Sequence, residues 1–435
     1  MLFKTRRRFF YLLFLVFVIL GAYLLVNAQG WVLDVKNFRI VKTGALFLKY
    51  SPTDAAVRIN GKASDVSPGL FSTGVFVSKL IPGRYEVELS RADYSPWKKT
   101  LDVGESVVAA ESQINLWPDK FILSPVTTSS YKDFWLSGEG AVFQTTDGAF
   151  RWDGLDLRGQ KITFVETGSN LVVMNDGKNY LLSALGDSET PVNLTNLIGS
   201  APLRLFAHPF SSGKLLIAMK NALFSFDSSK NTSEKLASAT STSKAAASNN
   251  EVFLLDKDGQ VFSFNLFLRT GNVFGKGLPT NADMRTVPSG SLLFFLKDNG
   301  LLSAYDRSLD KFEDLDRNVR NFFTSPDEKK VVIAGKNGSL SVIALEDYYL
   351  DLQIKKGDRW YIFPAGEPVS DFSWLNDYPG YGLALRNGEL LLAELDSRKP
   401  QNIYPITENV KKFFVQGNDL YILKSDGVLY EVGLK

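Results

Sequence analysis

The chain has 435 residues, of which 45% are hydrophobic and 22% charged, a composition typical of a globular protein of two or three domains. Lysine and arginine number 49 against 47 acidic residues, so the formal net charge of +2 provides no basic field for nucleic acid. No cysteine is present, which excludes disulfides and thiolate metal sites. The single histidine, His208, cannot build a histidine-rich zinc site. We therefore expect no metal, no cofactor and no nucleic-acid partner.

The first thirty residues combine a basic start with a long apolar run. Lys4 and Arg6–Arg8 precede Phe9–Val26, which contains 18 residues and no charge. As a helix this run measures about 27 Å, close to the thickness of a bilayer core, and a basic flank stays cytoplasmic. The sequence predicts a cytoplasmic tail (1–8), a transmembrane helix (9–28) and a linker (29–43), with the lipid bilayer as partner and the bulk of the chain extracytoplasmic.

A cleaved signal peptide is the alternative interpretation of the same segment. Val26-Asn27-Ala28 has residues acceptable for cleavage, which would leave a mature chain starting at Gln29. However, 18 apolar residues exceed the usual 7–15 of a signal peptide. Both interpretations export the rest of the chain.

Residues 44–117 show short alternating strands separated by turn residues. Val57 and Ile59 share one face of a strand that ends at Asn60-Gly61, a strong hairpin signal. A second alternating strand, Arg84–Leu89, follows Pro82-Gly83. The pattern predicts a small all-β domain.

This segment resembles the PEGA domain of bacterial surface proteins. The resemblance rests on Ser51–Ala55 (SPTDA), Val57–Gly61 (VRING), Leu80–Tyr85 (LIPGRY), Asp93-Tyr94 and Trp97. The motif that names the family reads PTDA here, so its glutamate and glycine are both replaced, and Asp93 stands where a glycine is usual. The resemblance implies a small β sandwich that acts as a spacer or interaction module outside the cell, without catalytic residues. Another kind of small β domain is the alternative.

From Phe121 to Lys435 a unit of strand, tight turn and strand recurs. The turns have glycine after Asp or Asn, except one in which alanine takes its place. They are about 40 residues apart on average, a period typical of the four-stranded blade of a β-propeller. The repeat resembles the β-propeller superfamily in general. The turn positions are Gly148, Gly177, Ala222, Gly259, Gly300, Gly338, Gly388 and Gly427.

Eight hairpins favour eight blades, and seven blades are the alternative because the first spacing is short. Residues 228–250 are small and polar, and we expect a loose connection with one weak outer strand there. The last hairpin is followed by no outer strand. We expect Phe121–Val126 to supply it and to close the ring, since an open ring leaves unpaired edges.

The richest aromatic stretch is residues 348–381, which lie within the longest interval between turns, from Gly338 to Gly388. Aromatic side chains in loops serve as contact anchors for protein or sugar, although propellers also pack large side chains between blades. Because Tyr378 and Tyr381 flank Pro379-Gly380, we expect at least one of their rings to be exposed. The predicted partner-binding residues are Tyr348, Tyr349, Trp360, Tyr361, Trp374, Tyr378 and Tyr381.

No catalytic residue is predicted. His208 lies beside Pro209 with no Gly-x-Ser-x-Gly motif in the chain, and the Asp-Gly turns lack the further carboxylates of a calcium loop. The sequence thus predicts a non-enzymatic, single-pass membrane protein of the bacterial cell envelope that binds or scaffolds an envelope protein or glycan. The alternative is a propeller enzyme that acts on glycans through paired carboxylates in the central cleft.

Overall fold

The structure, a computed structural model, describes residues 3–34, 38–64, 67–68, 74–137, 140–152, 155–157, 161–165, 170–184 and 191–434. It is all-β apart from one long N-terminal apolar helix and one short helix. Two compact units are present, and the first combines Met1–Phe121 with Asp347–Lys355 and Leu392–Tyr404. The second comprises Ile122–Glu346, Lys356–Leu391 and Pro405–Lys435. Parts of the predicted tail (1–2) and linker (35–37), and Lys435, lie outside the described residues.

Unit 1 begins with helix α1 (Phe3–Ala28), in which no residue of the apolar run Phe9–Val26 is buried. A hairpin of β1 (Trp31–Asp34) and β2 (Arg39–Lys42) follows within the predicted linker. The structure thus has one helix long and apolar enough to cross a membrane in its described part.

Two four-stranded sheets of unit 1 then enclose a common core. Their strands are β3 (Gly44–Ser51), β4 (Ala56–Ile59), β5 (Lys62–Ala63), β6 (Ser67–Pro68), β7 (Val75–Leu80), β8 (Gly83–Arg91), β9 (Tyr94–Val103) and β10 (Val108–Asn115). The sheet orders are β10-β3-β7-β6 and β5-β4-β8-β9, with β10 parallel to β3. Alternate side chains from both sheets, including Leu46, Leu48, Leu89 and Trp97, form one buried cluster. The small domain is therefore a two-sheet sandwich.

The remaining strands, all but two of which form four-stranded sheets, are short. In chain order they are β11 (Ser124–Pro125), β12 (Tyr131–Leu136), β13 (Ala141–Thr145), β14 (Phe150–Trp152), β15 (Leu155–Leu157), β16 (Lys161–Val165), β17 (Leu171–Asn175), β18 (Tyr180–Ala184), β19 (Val192–Asn193), β20 (Arg204–Ala207), β21 (Lys214–Ala218), β22 (Ala222–Asp227), β23 (Thr232–Ser238), β24 (Thr242–Ala247), β25 (Glu251–Asp256), β26 (Val261–Asn265), β27 (Thr270–Phe274), β28 (Ala282–Thr286), β29 (Leu292–Lys297), β30 (Leu302–Asp306), β31 (Lys311–Asp316), β32 (Val319–Thr324), β33 (Lys330–Gly335), β34 (Leu340–Ala344), β35 (Tyr348–Leu350), β36 (Leu352–Ile354), β37 (Arg359–Phe363), β38 (Val369–Trp374), β39 (Tyr381–Arg386), β40 (Glu389–Glu394), β41 (Ile403–Thr407), β42 (Val410–Gln416), β43 (Asp419–Lys424) and β44 (Leu429–Gly433). The second helix, α2 (Leu194–Ile198), follows β19 and has Asn193 as its N-cap.

These strands form eight four-stranded sheets within the described residues. The first to eighth sheets are β12–β15, β16–β19, β20–β23, β24–β27, β28–β31, β32–β34 with β37, β38–β41, and β42–β44 with β11. In each of the first seven sheets, the tight turn predicted from the sequence joins the second and third strands in chain order. In the eighth sheet it joins β43 and β44. All seven turn glycines have positive φ, between 75° and 97°, as the hairpin interpretation requires. A side chain at Gly338 would also strike the backbone carbonyl of Gly366.

Contacts run from each sheet to the next and return to the first. Buried apolar clusters join the first six sheets in succession. The rings of Phe323 and Phe372 join the sixth and seventh sheets at 5.4 Å, and the N–H of Val410 in the eighth sheet donates to Gly388 O in the seventh at 2.8 Å. Phe134 and Leu429 belong to a cluster shared by the first and eighth sheets.

The predicted pairing of Phe121–Val126 with the last hairpin is confirmed. Within this segment β11 pairs antiparallel with β44, so that Ser124 faces Glu431 and Pro125 faces Tyr430. The N–H of Val126 continues the ladder to Leu429 O at 2.8 Å. The outer strand of the last sheet therefore comes from the start of the repeat region.

The expectation of a loose connection at residues 228–250 is wrong. This segment contains β23 and also β24, the first strand of the fourth sheet. Ala245 and Ala246 are 3% exposed and pack against the neighbouring sheets. Small side chains fit a strand that is crowded on both faces, which the polar flanks of the segment concealed.

Candidate functional site

The first strands of several sheets lie close to one another in unit 2. Arg204 in β20 donates from Nη1 to the carbonyl oxygens of Ala245 in β24 and Met284 in β28, at 3.1 and 3.2 Å. Lys412 in β42 donates to Phe134 O in β12 at 2.6 Å. A side chain reaches from one first strand to the next only where those strands adjoin. They therefore line a central channel.

The channel wall is shaped by a recurrent β-bulge. The ladder between the first and second strands shifts register in β12, β16, β24, β32, β38 and β42. Near three of these shifts, Asp133, Asn321 and Asp371 each accept a hydrogen bond from the N–H of the following phenylalanine at 2.8–2.9 Å. Bulges re-aim side chains and bend the strand, and here they accompany a polar side chain in the first, sixth and seventh sheets.

The polar groups of the channel largely satisfy one another. Lys412 Nζ lies 2.8 Å from Asp133 Oδ1, and Arg285 Nε lies 2.8 Å from Asp283 Oδ2. Arg285 also donates to Asn321 Oδ1 at 2.9 Å. Burial raises the pKa of Asp371, against the lowering effects of its backbone hydrogen bond and of the nearby Lys412. These ion pairs and hydrogen bonds therefore hold the first strands in place rather than presenting free charges.

An open cleft of about 420 Å³ lies where the first strands of the fifth to eighth sheets end. Aromatic rings and small polar groups share its wall, and no carboxylate is among the described residues that line it. Trp374 meets Phe372 edge-on at 5.5 Å and donates from Nε1 to Phe323 O at 3.3 Å, which fixes the indole ring. The lining residues are Arg285, Thr286, Phe322, Phe323, Thr324, Phe372, Ser373, Trp374, Asn376, Val415 and Gly417.

The predicted partner-binding residues are divided between the two units. Tyr348 and Tyr349 belong to the β35–β36 hairpin of unit 1, where Tyr349 is 77% exposed. The other five belong to unit 2, and of these only Trp374 lines the cleft. Their role in binding stays a prediction.

Burial distinguishes the remaining predicted residues of unit 2. Trp360 and Tyr381 lie in the core at 8% and 1% exposure, so their rings pack within the sheets. Tyr361 is 47% exposed. Tyr378 is half-buried, and its hydroxyl donates to Leu434 O at 3.2 Å. The turn between β38 and β39 thus points the Tyr381 ring inward and leaves the Tyr378 ring partly accessible.

His208 interacts with residues that are close to it in the sequence. Its Nδ1 accepts the N–H of Phe210 at 3.3 Å, and burial together with Lys214 lowers its pKa. Among the described residues, no three His, Asp or Glu side chains come together as metal ligands. The geometry thus offers no metal centre to assign within that part of the chain.

Unit 1 contains a buried ionic cluster that sequence reasoning missed. Lys99, fully buried on the inner face of β9, lies 2.6 Å from Glu394 Oε2 and 3.4 Å from Asp396 Oδ2. Glu394 also accepts from Trp97 Nε1 at 2.9 Å and from Asn402 Nδ2 at 2.7 Å. This network binds the segment Leu392–Tyr404 to the sandwich.

A contact between Arg398 and Glu111 extends the cluster. Arg398 Nη2 lies 2.5 Å from Glu111 Oε2, and Arg398 Nε lies 2.9 Å from Asp396 Oδ2. Burial raises the pKa of Glu111 to about 8, although Arg398 opposes the shift. Nearby, Asp351 accepts from the backbone N–H and hydroxyl of Ser112 at 2.7 and 2.6 Å. Both later segments of unit 1 are therefore attached to β9 and β10 by specific polar contacts.

Comparison with known proteins gives similar structures but no family. No family model matches the chain, and no curated protein matches it. The chain is similar in structure to BamB from Moraxella catarrhalis, with 12% identity, a TM-score of 0.47, and coverage of 72% of this chain and 100% of that one. It is also similar to the computationally designed Ika8 protein (14% identity, TM-score 0.48, 71% and 97% coverage) and to Hsv2p from Kluyveromyces lactis (12%, 0.45, 65% and 99%).

Proposed function

We propose that this chain is a single-pass membrane protein of the bacterial cell envelope, with a cytoplasmic N-terminus and the rest outside the cytoplasm. Support comes from α1, in which Phe9–Val26 has the length of a bilayer core and finds no cover within the protein. The basic residues before it favour this orientation. A cleaved signal peptide would export the same domains without retaining the helix.

We propose further that the eight sheets are the blades of one closed β-propeller, and that the same chain contains a PEGA-like sandwich. The support is the succession of eight four-stranded sheets and the pairing of β11 with β44, which leaves no open edge at the seam. A closed ring presents rigid loops and a central cleft, which suits binding.

The function that follows is the capture or scaffolding of an envelope protein, not catalysis. One observation carries this proposal: the cleft lined by Phe323, Phe372 and Trp374 at the centre of unit 2. Fixed aromatic rings beside small polar groups favour an apolar side chain of a partner flanked by its backbone. Glycan hydrolysis needs two facing carboxylates, whereas the channel residues Asp133 and Asp283 are each ion-paired and Asp371 lies close to Lys412.

The cleft can be tested by blocking it at its rim. Asn376 is exposed and lines the cleft, whereas the adjacent Asp377 is exposed and does not. In-cell crosslinking from a photoreactive residue at position 323 should capture a specific protein. Asn376→Trp should reduce this capture at least tenfold, and Asp377→Trp should leave it intact, with unchanged unfolding midpoints for both.

Two outcomes would refute the binding assignment. Equal capture by both tryptophan variants would show that the cleft is not the docking site. Loss of the crosslink when purified envelope glycans are added before irradiation would assign the cleft to sugar instead. Topology is tested separately: external protease on spheroplasts should digest the chain beyond residue 28, and protection until lysis would refute the orientation.

A further inference from the structure

The β1–β2 hairpin starts directly at the end of the apolar helix. Its base is closed at Gly30, whose carbonyl oxygen accepts both the backbone N–H of Thr43 at 2.7 Å and the Thr43 hydroxyl at 3.0 Å. The helical hydrogen bonding continues to Gln29, whose N–H donates to Leu25 O at 3.0 Å. Both strands of the hairpin are therefore tied to the point at which the helix ends.

One face of this hairpin is apolar and uncovered. Leu33 and Ile40 are opposite each other in the register and are 55% and 65% exposed. Phe38, next to the start of β2, is 86% exposed. On the other face Asp34 and Val41 are each only 3% exposed. An apolar face that is exposed on a short hairpin is the reverse of what water favours.

The position of the hairpin identifies what can cover this face. Only five peptide bonds separate Val26, the end of the apolar run, from Trp31, a path of at most about 17 Å. The interfacial layer of a bilayer adds about 5–8 Å to each side of the core. Trp31 stacks with Lys42, whose Nζ lies 5.2 Å from the indole centroid, and tryptophan and lysine are typical of this layer.

The charges of the hairpin suit the same environment. Its only described carboxylate, that of Asp34, lies 3.5 Å from Arg39 Nε and is buried on the opposite face. The apolar face therefore brings no uncompensated negative charge toward lipid. Lys42, at the edge of this face, can remain at the level of the headgroups.

We propose that the β1–β2 hairpin lies on the surface of the membrane that α1 enters, with Leu33, Phe38 and Ile40 inserted in the interface. This inference rests on the proposed membrane anchor. Such a contact fixes the direction in which the chain leaves the bilayer, because the hairpin lies flat instead of projecting into water.

The absence of cysteine makes site-directed spin labelling a clean test. The full chain is reconstituted in vesicles of phosphatidylcholine and phosphatidylglycerol, with a nitroxide on one introduced cysteine at a time. Leu33→Cys and Phe38→Cys report on the hairpin, and Leu20→Cys reports on the helix. Ile122→Cys is the matched control, because Ile122 is 83% exposed but lies outside the hairpin. Relaxation enhancement by oxygen and by a water-soluble nickel chelate measures whether each label is in lipid or in water.

The expected result is an oxygen-to-nickel accessibility ratio at positions 33 and 38 that is several-fold higher than at position 122 and approaches that at position 20. Hairpin labels as accessible to nickel as the control, with position 20 in lipid, would overturn the inference while leaving the anchor in place. A label in water at position 20 would refute the anchor and the inference together. Shielding from both reagents with spin–spin broadening would assign the face to a second copy of the chain instead.

Discussion

The seam between β11 and β44 can be locked covalently, and the effect of the lock has a calculable upper limit. Ser124 and Glu431 are directly opposite in the antiparallel register, Ser124 is exposed, and the chain has no competing cysteine. Opposed residues of an antiparallel pair have Cα atoms about 4.5–5.5 Å apart, within the range of a disulfide. The double variant Ser124→Cys/Glu431→Cys should therefore form an intrachain disulfide on mild oxidation.

The magnitude follows from the length of chain that the bond encloses. About 300 residues separate the two positions, for which the chain-entropy relation gives about 5–6 kcal/mol. Strain in the folded state reduces this figure. We expect the oxidised variant to unfold at a clearly higher guanidinium concentration than the same protein after reduction.

The assay compares guanidinium unfolding by tryptophan fluorescence with and without reductant, after the crosslink has been verified by mass. The control Ser124→Cys/Asp419→Cys places the second cysteine on β43, which does not pair with β11 and is about 10 Å or more away. The closure argument fails if the test pair does not crosslink within one chain, if the control crosslinks as efficiently, or if oxidised and reduced forms unfold at the same midpoint.

Two further predictions concern the ionic cluster of unit 1. Lys99→Met should lower the free energy of unfolding by about 3–5 kcal/mol, because Glu394 then stays buried without its cation. Adding Glu394→Gln should recover part of the loss. Equal free energies of unfolding in the single and double variants would contradict this. Since the folded state keeps Glu111 protonated up to about pH 8 and the unfolded state only to about 4.5, stability from this group is lost as pH rises across that window. Glu111→Gln should reduce the fall of the denaturation midpoint between pH 5 and 8. An equal fall in the variant and in the parent protein would argue against this.

The repeats could be predicted from the sequence because each one contains a short turn with a specific residue requirement. Each glycine turn requires a backbone conformation that few other residues adopt, so the hairpins could be located one by one. The missing outer strand of the last hairpin likewise pointed to Phe121–Val126. In contrast, the sequence of β24 has no distinctive pattern. Its alanines fit a crowded strand, but they do not give an alternation of apolar and polar residues that differs from the flanking sequence.

The candidate site was predicted only in part for a related reason. Aromatic density located Trp374, but the residues around a ring at the end of a strand do not determine where that ring points. Tyr381 starts β39 and turns inward, whereas Tyr378, three residues earlier, stays half-exposed. Which side of a turn faces the core depends on the neighbouring sheets, and that information is not local.

The sequence nevertheless contained one unused signal, in strand β9. Trp97, Lys99, Leu101 and Val103 alternate and therefore share a face, which places a lysine among residues of an apolar core. A buried ammonium requires a carboxylate close by, and the alternation of neighbouring strands in the sandwich offers none beside it. The partner therefore had to come from elsewhere in the chain, and it is Glu394, almost 300 residues later. An inward-facing charge in an otherwise apolar strand thus indicates a long-range attachment, although the strand alone does not identify the residue that completes it.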